Sequence, residues 1–180
     1  MTTHWFGAKG KSSKGEGHPI MFSFNESEYF GVFPDGGGFP KRFLKKAFQT
    51  LGVTDPDKVL HLCSGSVKKG ITVDIRPEMK PTIIADCRNV PLPSNSVNWI
   101  IADPPYSKDY ATNLYKTGKD YPKPGEILKE ASRLLKKGGR VGILHFQVPM
   151  FRKPLKLLGV YGITTGLGYA IRAWSVYEKQ

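Results

Sequence analysis

Residues 97–106 read Val97-Asn98-Trp99-Ile100-Ile101-Ala102-Asp103-Pro104-Pro105-Tyr106. The first six are almost continuously apolar, and an acid followed by two prolines stops the run. A run this short between turn signals reads as a strand rather than a helix. Its lack of polar alternation predicts burial on both faces, the condition of a parallel strand. Asp103 then stands at the carboxyl end of a strand, where open α/β sheets bind their ligands.

The same grammar repeats upstream. Val59-Leu60-His61-Leu62-Cys63 runs into Ser64-Gly65-Ser66, Ile71-Thr72-Val73 ends at Asp74, and Thr82-Ile83-Ile84-Ala85 ends at Asp86. Downstream, Ile127, Leu128, Ala131, Leu134 and Leu135 mark one stripe of an amphipathic helix. Lys136-Lys137-Gly138-Gly139 supplies the basic last turn and glycine stop expected of its end. Arg140 to Phe146 reads as a fifth strand, and residues 157–177 as two more, joined through Gly166-Leu167-Gly168 in a hairpin.

Ahead of these strands, Pro40 opens a helix in which Phe43, Leu44, Ala47, Phe48 and Leu51 form the apolar stripe. Lys41, Arg42, Lys45 and Lys46 take its other side, and Gly52 ends it. Residues 18–39 carry Phe22, Phe24, Tyr29, Phe30, Phe33 and Phe39 broken by Gly and Pro, an ordered but irregular segment. Residues 1–17 are expected to be a flexible basic arm, since Gly7 to Gly17 is dominated by Gly, Ser and Lys. Residues 18–180 then form a single domain. Gly10-Lys11-Ser12 is not a phosphate loop, because Trp5 occupies the position of the required first glycine and no strand precedes it.

The 180 residues suit one domain, and a 39% apolar content with 10 Phe, 8 Tyr and 3 Trp can bury a core. Lys and Arg total 27 against 15 acids, a formal charge of +12. Such an excess favours polyanionic partners, of which nucleic acid is the commonest. Cys63 and Cys87 form no CxxC pair and the four His are scattered, so no metal site is expected. Reduced thiols point to a cytosolic protein. No continuous apolar N-terminal stretch or apolar run of about 18 residues is present, so neither a secretory leader nor a membrane span is predicted.

The Asp103-Pro104-Pro105-Tyr106 turn has a specific chemistry. An exocyclic amino group on adenine or cytosine is a poor nucleophile, because its lone pair is delocalised into the ring. A carboxylate and a backbone carbonyl that accept its two N–H bonds pull the nitrogen towards tetrahedral geometry. Consecutive prolines hold a rigid turn and bring no N–H to compete for local bonds. A neighbouring Tyr offers a face for base stacking.

This turn after a strand resembles the motif of the amino-methyltransferases, which modify adenine or cytosine amino groups in DNA and, less often, bases in RNA. The resemblance spans roughly residues 38–177. It implies a three-layer Rossmann-like α/β fold with a mostly parallel sheet and a C-terminal antiparallel hairpin. The implied cofactor is S-adenosylmethionine (SAM). Cys63-Ser64-Gly65 resembles the family's first-strand loop; Asp74 matches the acid that binds the SAM ribose; Asp86, with Cys87 beside it, matches the acid that binds the SAM adenine. Asp103 borders both sites. Asp103 and the Pro104 carbonyl are then the amino-group acceptors, Pro105 holds the turn and Tyr106 stacks on the base. The implied reaction is methyl transfer to a base amino group, with adenine in DNA first and an RNA base or a non-catalytic nucleic-acid-binding subunit as alternatives.

Lys68, Lys69 and Lys108 are candidates for phosphate contacts. Tyr110, Tyr115 and Tyr121 interleave with Lys108, Lys116, Lys119 and Lys123, which suits either a nucleic-acid-binding loop or a surface lid. Arg172 is either a phosphate contact or a buried ion-pair partner. The connections after Gly65 and after Asp74 are too short for the family's first two crossover helices, so those are expected to be reduced to single turns. An apolar sheet face would then be left bare, and residues 18–39, a second copy or a partner subunit is expected to cover it.

Overall fold

The computed structural model describes the backbone of Thr2–Trp5, Gly7–Ala8 and Phe22–Asn25, and residues 43–109, 111–112, 121–151, 153–163 and 171–180 in full. Gly10-Lys11-Ser12, Phe39-Pro40, Tyr110, Tyr115, Lys116, Lys119 and Gly166–Gly168 lie outside the described residues. Two sheets are present. A small one pairs β1 (Thr2–Trp5) with β3 (Phe22–Asn25) antiparallel. The main one has eight strands in the order β2-β9-β10-β8-β7-β4-β5-β6.

The main sheet is parallel across β8 (Leu135–His145), β7 (Val97–Ala102), β4 (Val59–Leu62), β5 (Ile71–Asp74) and β6 (Ile83–Ile84). β10 (Arg172–Lys179) runs antiparallel between β8 and β9 (Leu155–Ile163), and β2 (Gly7–Ala8) adds to the β9 edge. The hairpin expected at the C-terminus is thus present. Within the expected basic arm, residues 2–5 and 7–8 are strand, while the tract 9–17 lies outside the described residues.

Two helices flank the sheet. α1 (Phe43–Leu51) buries Phe43, Ala47 and Leu51 against Val59, Ile101, Leu144, Trp174 and Val176. Trp174 stands edge-on to Phe43 at 5.0 Å and donates its Nε1 hydrogen to Thr50 Oγ1 at 2.9 Å. Gly142 on β8 lies directly under this indole, and a Cβ there would collide with the ring. α2 (Pro124–Leu134) buries Ile127, Leu128, Ala131 and Leu134 on the opposite face with Leu60, Leu62, Val73, Ile100 and Tyr177. Pro124 at its first position needs no N–H partner there.

The strand expected over Thr82–Ala85 is shorter, Ile83–Ile84, and the boundary between α2 and β8 lies earlier than the sequence reading. The stripe and the Lys136–Gly139 stop predict a helix reaching past Leu135; the observed helix ends at Leu134 and Leu135 already belongs to β8. The physical reason is that other partners take the last carbonyls. Asn95 N–H donates to Arg133 O, Ser96 N–H to Leu134 O, and Lys179 Nζ to Ser132 O and Leu135 O. With those groups satisfied, no glycine stop is required. Gly138 (φ 77°) instead serves the irregular stretch of β8 between its pairings at Leu135 and Arg140.

The first crossovers are reduced, as expected. β4 reaches β5 through turns only, and β5 reaches β6 through one 3-10 turn at Pro77–Met79. The face left bare by them is less apolar than expected. Thr72 and Thr82 project there with their hydroxyls 3.1 Å apart, and Thr82 N–H donates to Thr72 Oγ1 at 2.8 Å. Threonine keeps the β-branched shape that strands favour while its hydroxyl finds a partner. Ile84, 61% exposed, is the large apolar residue on that edge. No helix of the described residues is long and apolar enough to cross a membrane.

Candidate functional site

The carboxyl ends of β4, β5 and β7 and the loop after β6 converge on one cleft of about 560 Å³. Cys63, Asp74, Asp86, Cys87, Asp103 and Pro105 all line it, from the ends of β4, β5, β6 and β7 or the turns just beyond. Ile75, Ala85 and Pro122 supply apolar wall, and Arg76 and Arg88 complete it. Among the described residues no group of His, Cys, Asp and Glu could hold a metal ion.

Asp74 is nearly enclosed, at 4% exposure. Its Oδ1 accepts from Arg76 N–H and Nε, both at 3.0 Å, and its Oδ2 from Gly65 N–H at 2.8 Å and Arg76 Nη2 at 3.2 Å. Those four donors fill the roughly four lone-pair positions of a carboxylate. Asp86 repeats the arrangement with Arg88, whose backbone N–H, Nε and Nη2 reach its two oxygens at 2.6–3.1 Å. The Arg88 hydrogen bond holds the Asp86 carboxyl below its ordinary pKa, against a desolvation that would raise it. Both pairs follow an Asp-x-Arg spacing, and in both the Asp Oδ1 accepts the backbone N–H two residues on, the local turn that Asp favours, which brings the Arg side chain back to it. That repeated spacing was the available signal for Arg76 and Arg88, which the sequence reading missed.

The loop after Asp86 is pinned from α2. Glu130 Oε1 accepts from Val90 N–H at 2.8 Å, and Arg133 binds Glu130, Val90 O and Leu92 O. Desolvation pushes the Glu130 carboxyl up, and the Arg133 and Val90 hydrogen bonds bring it below its ordinary value.

Asp103 is held differently. Its Oδ1 accepts from the Tyr106 hydroxyl at 2.9 Å, and among the described residues nothing donates to Oδ2. Burial pushes its pKa up to about 6, with the Tyr106 hydrogen bond and the Arg172 charge pulling the other way. Pro104 is buried, and among the described residues its carbonyl accepts no hydrogen bond. Tyr106 stands behind the cleft wall. Its ring packs 4.6 Å from Phe146 and edge-on to His145 at 5.6 Å, and its hydroxyl receives Arg172 Nη1 at 3.0 Å. Burial first, and then the Asp103 charge, push the phenol pKa well upward. His145 is buried and its pKa is lowered by desolvation.

Of the first-strand loop, Gly65 contributes through its N–H to Asp74 rather than by lining the cleft. Ser64 is buried, and among the described residues its Oγ has no hydrogen-bond partner. Cys63 adopts φ 54°, and its thiol pKa is raised by a hydrogen bond with Cys87 and by burial. Lys68 and Lys69 are engaged locally, with Met79 O at 2.6 Å and Asp57 at 3.9 Å respectively. Lys108 is exposed.

This strand order matches known structures. The chain superposes on TrmN from Thermus thermophilus with a TM-score of 0.57 at 19% identity, over 80% of this chain. The fold is that of the Rossmann-like methyltransferases. A chain of the complex formed by the Haloferax volcanii Trm112 methyltransferase activator gives a TM-score of 0.51 at 16% identity, covering 76% of this chain and 87% of that one. The present methyltransferase-fold chain spans half the length of the Thermus protein, at 50%. No family model and no curated protein matches the sequence.

Proposed function

We propose that this chain transfers a methyl group from SAM to an exocyclic amino group of a nucleic-acid base, with adenine in DNA as the first substrate to test. The observation that carries the reading is the meeting of the Asp103-Pro104-Pro105-Tyr106 turn and the two strand-end acids Asp74 and Asp86 at one cleft. The cleft suits the cofactor in the chemistry of its lining, with the carboxylates of Asp74, Asp86 and Asp103 at strand ends beside the apolar Ile75, Ala85 and Pro122. Asp74 would hold the ribose hydroxyls, Asp86 with Cys87 the adenine, and the Cys63–Gly65 loop and Asp103 would border the methionine end. When bound, the cofactor supplies an electrophilic methyl group on a sulfonium that leaves as a neutral thioether.

The protein's own part is positioning. Asp103 Oδ2 and the Pro104 carbonyl lack other donors among the described residues and would accept the two N–H bonds of the target amino group. Tyr106 would flank the base. A duplex target requires the base to be flipped out, at a cost of a few kcal/mol. The charge of +12 supports a polyanionic substrate. An RNA base remains the alternative substrate. A partner subunit is also proposed, since the Haloferax volcanii match comes from a complex with a methyltransferase activator.

One observation favours a second reading, a nucleic-acid-binding protein that no longer uses SAM. Asp74 and Asp86 are already saturated by their arginines, so the cofactor must displace at least Arg76 to reach Asp74. Calorimetric titration with SAM decides between the two. Binding, followed by tritiated-methyl incorporation into DNA or RNA and identification of the methylated nucleoside, supports the enzyme. No binding with or without nucleic acid supports the second reading.

A further inference from the structure

The residue that the sequence left between two roles, Arg172, lies 66 positions beyond Tyr106 and meets it through the antiparallel strand β10. We propose that Arg172 is a positioning residue for the Asp103 carboxylate, acting through the hydroxyl of Tyr106; the inference rests on the methyl-transfer reading of this site.

The direction of the relay follows from the donor inventory. A guanidinium only donates, and a phenol has a single proton. Arg172 Nη1 lies 3.0 Å from the Tyr106 oxygen, which must accept there. The phenolic proton is thereby committed to Asp103 Oδ1 at 2.9 Å. Rotation of the carboxylate is then fixed by Oδ1, and Oδ2 is the oxygen left for a ligand. Arg172 Cζ also sits 6.0 Å from the Tyr106 ring centroid, so the ring and the hydroxyl are held by the same side chain. His145 and Phe146 of the β8 end close the ring's other contacts.

The arrangement answers a physical problem of this turn. Asp103 sits among groups that do little to keep it charged. Cys63 from the β4 end is a neutral thiol with a raised pKa. His145 from β8 has its pKa lowered by burial, which disfavours a positive charge there. Asp74 and Asp86 across the cleft are negative and already paired with Arg76 and Arg88. Arg172 is the cation that pulls the Asp103 carboxyl down. An amino-group acceptor has to be ionised, because a protonated carboxyl offers a competing donor. Losing Arg172 raises the Asp103 pKa above about 6 and lowers the share of the ionised form at mildly acidic pH.

The test uses the full chain with Arg172→Gln, Arg172→Lys, Tyr106→Phe and the double variant R172Q/Y106F. Methyl transfer to DNA and to RNA is followed from pH 5.5 to 9, with thermal melts of each variant. Independently of activity, the Asp103 carboxyl is titrated by 13C NMR with labelled aspartate, assigned against Asp103→Asn. Arg172→Gln and Tyr106→Phe are each expected to move the acid limb and the carboxyl titration upward by about 0.5–1 pH unit. Their rates should fall about 1.5- to 3-fold near pH 6.5 and recover by pH 8.5, with KM for nucleic acid unchanged and the double variant no worse than the larger single one. Arg172→Lys should recover part of the loss. A raised KM with an unmoved pH profile makes Arg172 a phosphate contact and overturns the proposal, as do additive single effects. A wild-type protein that methylates neither nucleic acid overturns the functional reading alone. The carboxyl titration then still decides the relay, an unmoved one refuting it. Should Arg172→Gln not fold, Tyr106→Phe and Arg172→Lys carry the same comparison.

Discussion

Asp74 and Asp86 on one wall of the cleft, and Asp103 on the other, are equivalent in topology, each standing at a strand end of a parallel sheet. Their surroundings are opposite. The first two are satisfied at short range, Asp86 by a neighbour two residues away and Asp74 by such a neighbour and a nearby loop N–H. Asp103 has one hydrogen bond, from a tyrosine that is itself held by an arginine on a distant strand. A saturated carboxylate is stable and must be uncovered before it can bind anything. An under-satisfied one is destabilising, and it is held ready to accept new donors.

The largest effect expected from this contrast is on transfer. Asp103→Ala should reduce methyl transfer by at least about 100-fold while leaving SAM binding within a few-fold, as calorimetry and initial rates would show. Loss of SAM binding in the same variant would place Asp103 on the cofactor side and erase the contrast. Stability should move the other way. A carboxyl whose pKa is raised to about 6 by burial favours the folded state fully below its unfolded value of 3.8, and loses that contribution as pH rises through about 6. Asp103→Asn is therefore expected to be more stable than wild type above pH 6, by at most about 3 kcal/mol, and equal to it near pH 3.5. Paired urea melts at the two pH values check this.

On the other wall, Asp74→Ala should weaken SAM binding by more than about 10-fold, whereas Arg76→Ala should tighten it by about as much, because the two hydrogen bonds from the Arg76 side chain no longer have to be displaced. Equal weakening in both would show that Arg76 belongs to the cofactor site rather than competing for Asp74. Glu130→Ala removes the acceptor of Val90 N–H and Arg133, and should cost about 2 kcal/mol in a denaturant melt. The smallest effect is expected at Ile84, where Ile84→Lys should stay within about 0.5 kcal/mol for the isolated chain. A lowered sedimentation coefficient in that variant would reveal an assembly on this sheet face.

Much of this was readable beforehand. The strand Val97–Ala102 matches its expected limits, and the acids at 74, 86 and 103 fall at strand ends, because a short apolar run closed by a polar residue has few other solutions. The missing crossover helices followed from counting residues. What could not be read was the end of α2, since Lys179 and the 95–96 turn cap it from elsewhere in the chain. Nor could the mild polarity of that sheet face, which depends on Thr72 of β5 meeting Thr82 just ahead of β6.

By itself, then, the sequence determined the strands, their parallel order, and three acids facing one end of the sheet, because these follow from local periodicity and chain length. Only the tertiary structure decided what each acid has for company. The hydrogen-bond donor to Asp103, Tyr106, is three residues away, but the arginine that holds it comes from β10, far along the chain, and burial of the carboxyl arises from elements brought together by folding. A carboxylate's charge state depends on everything within a few ångströms, and sequence separation carries no information about that distance.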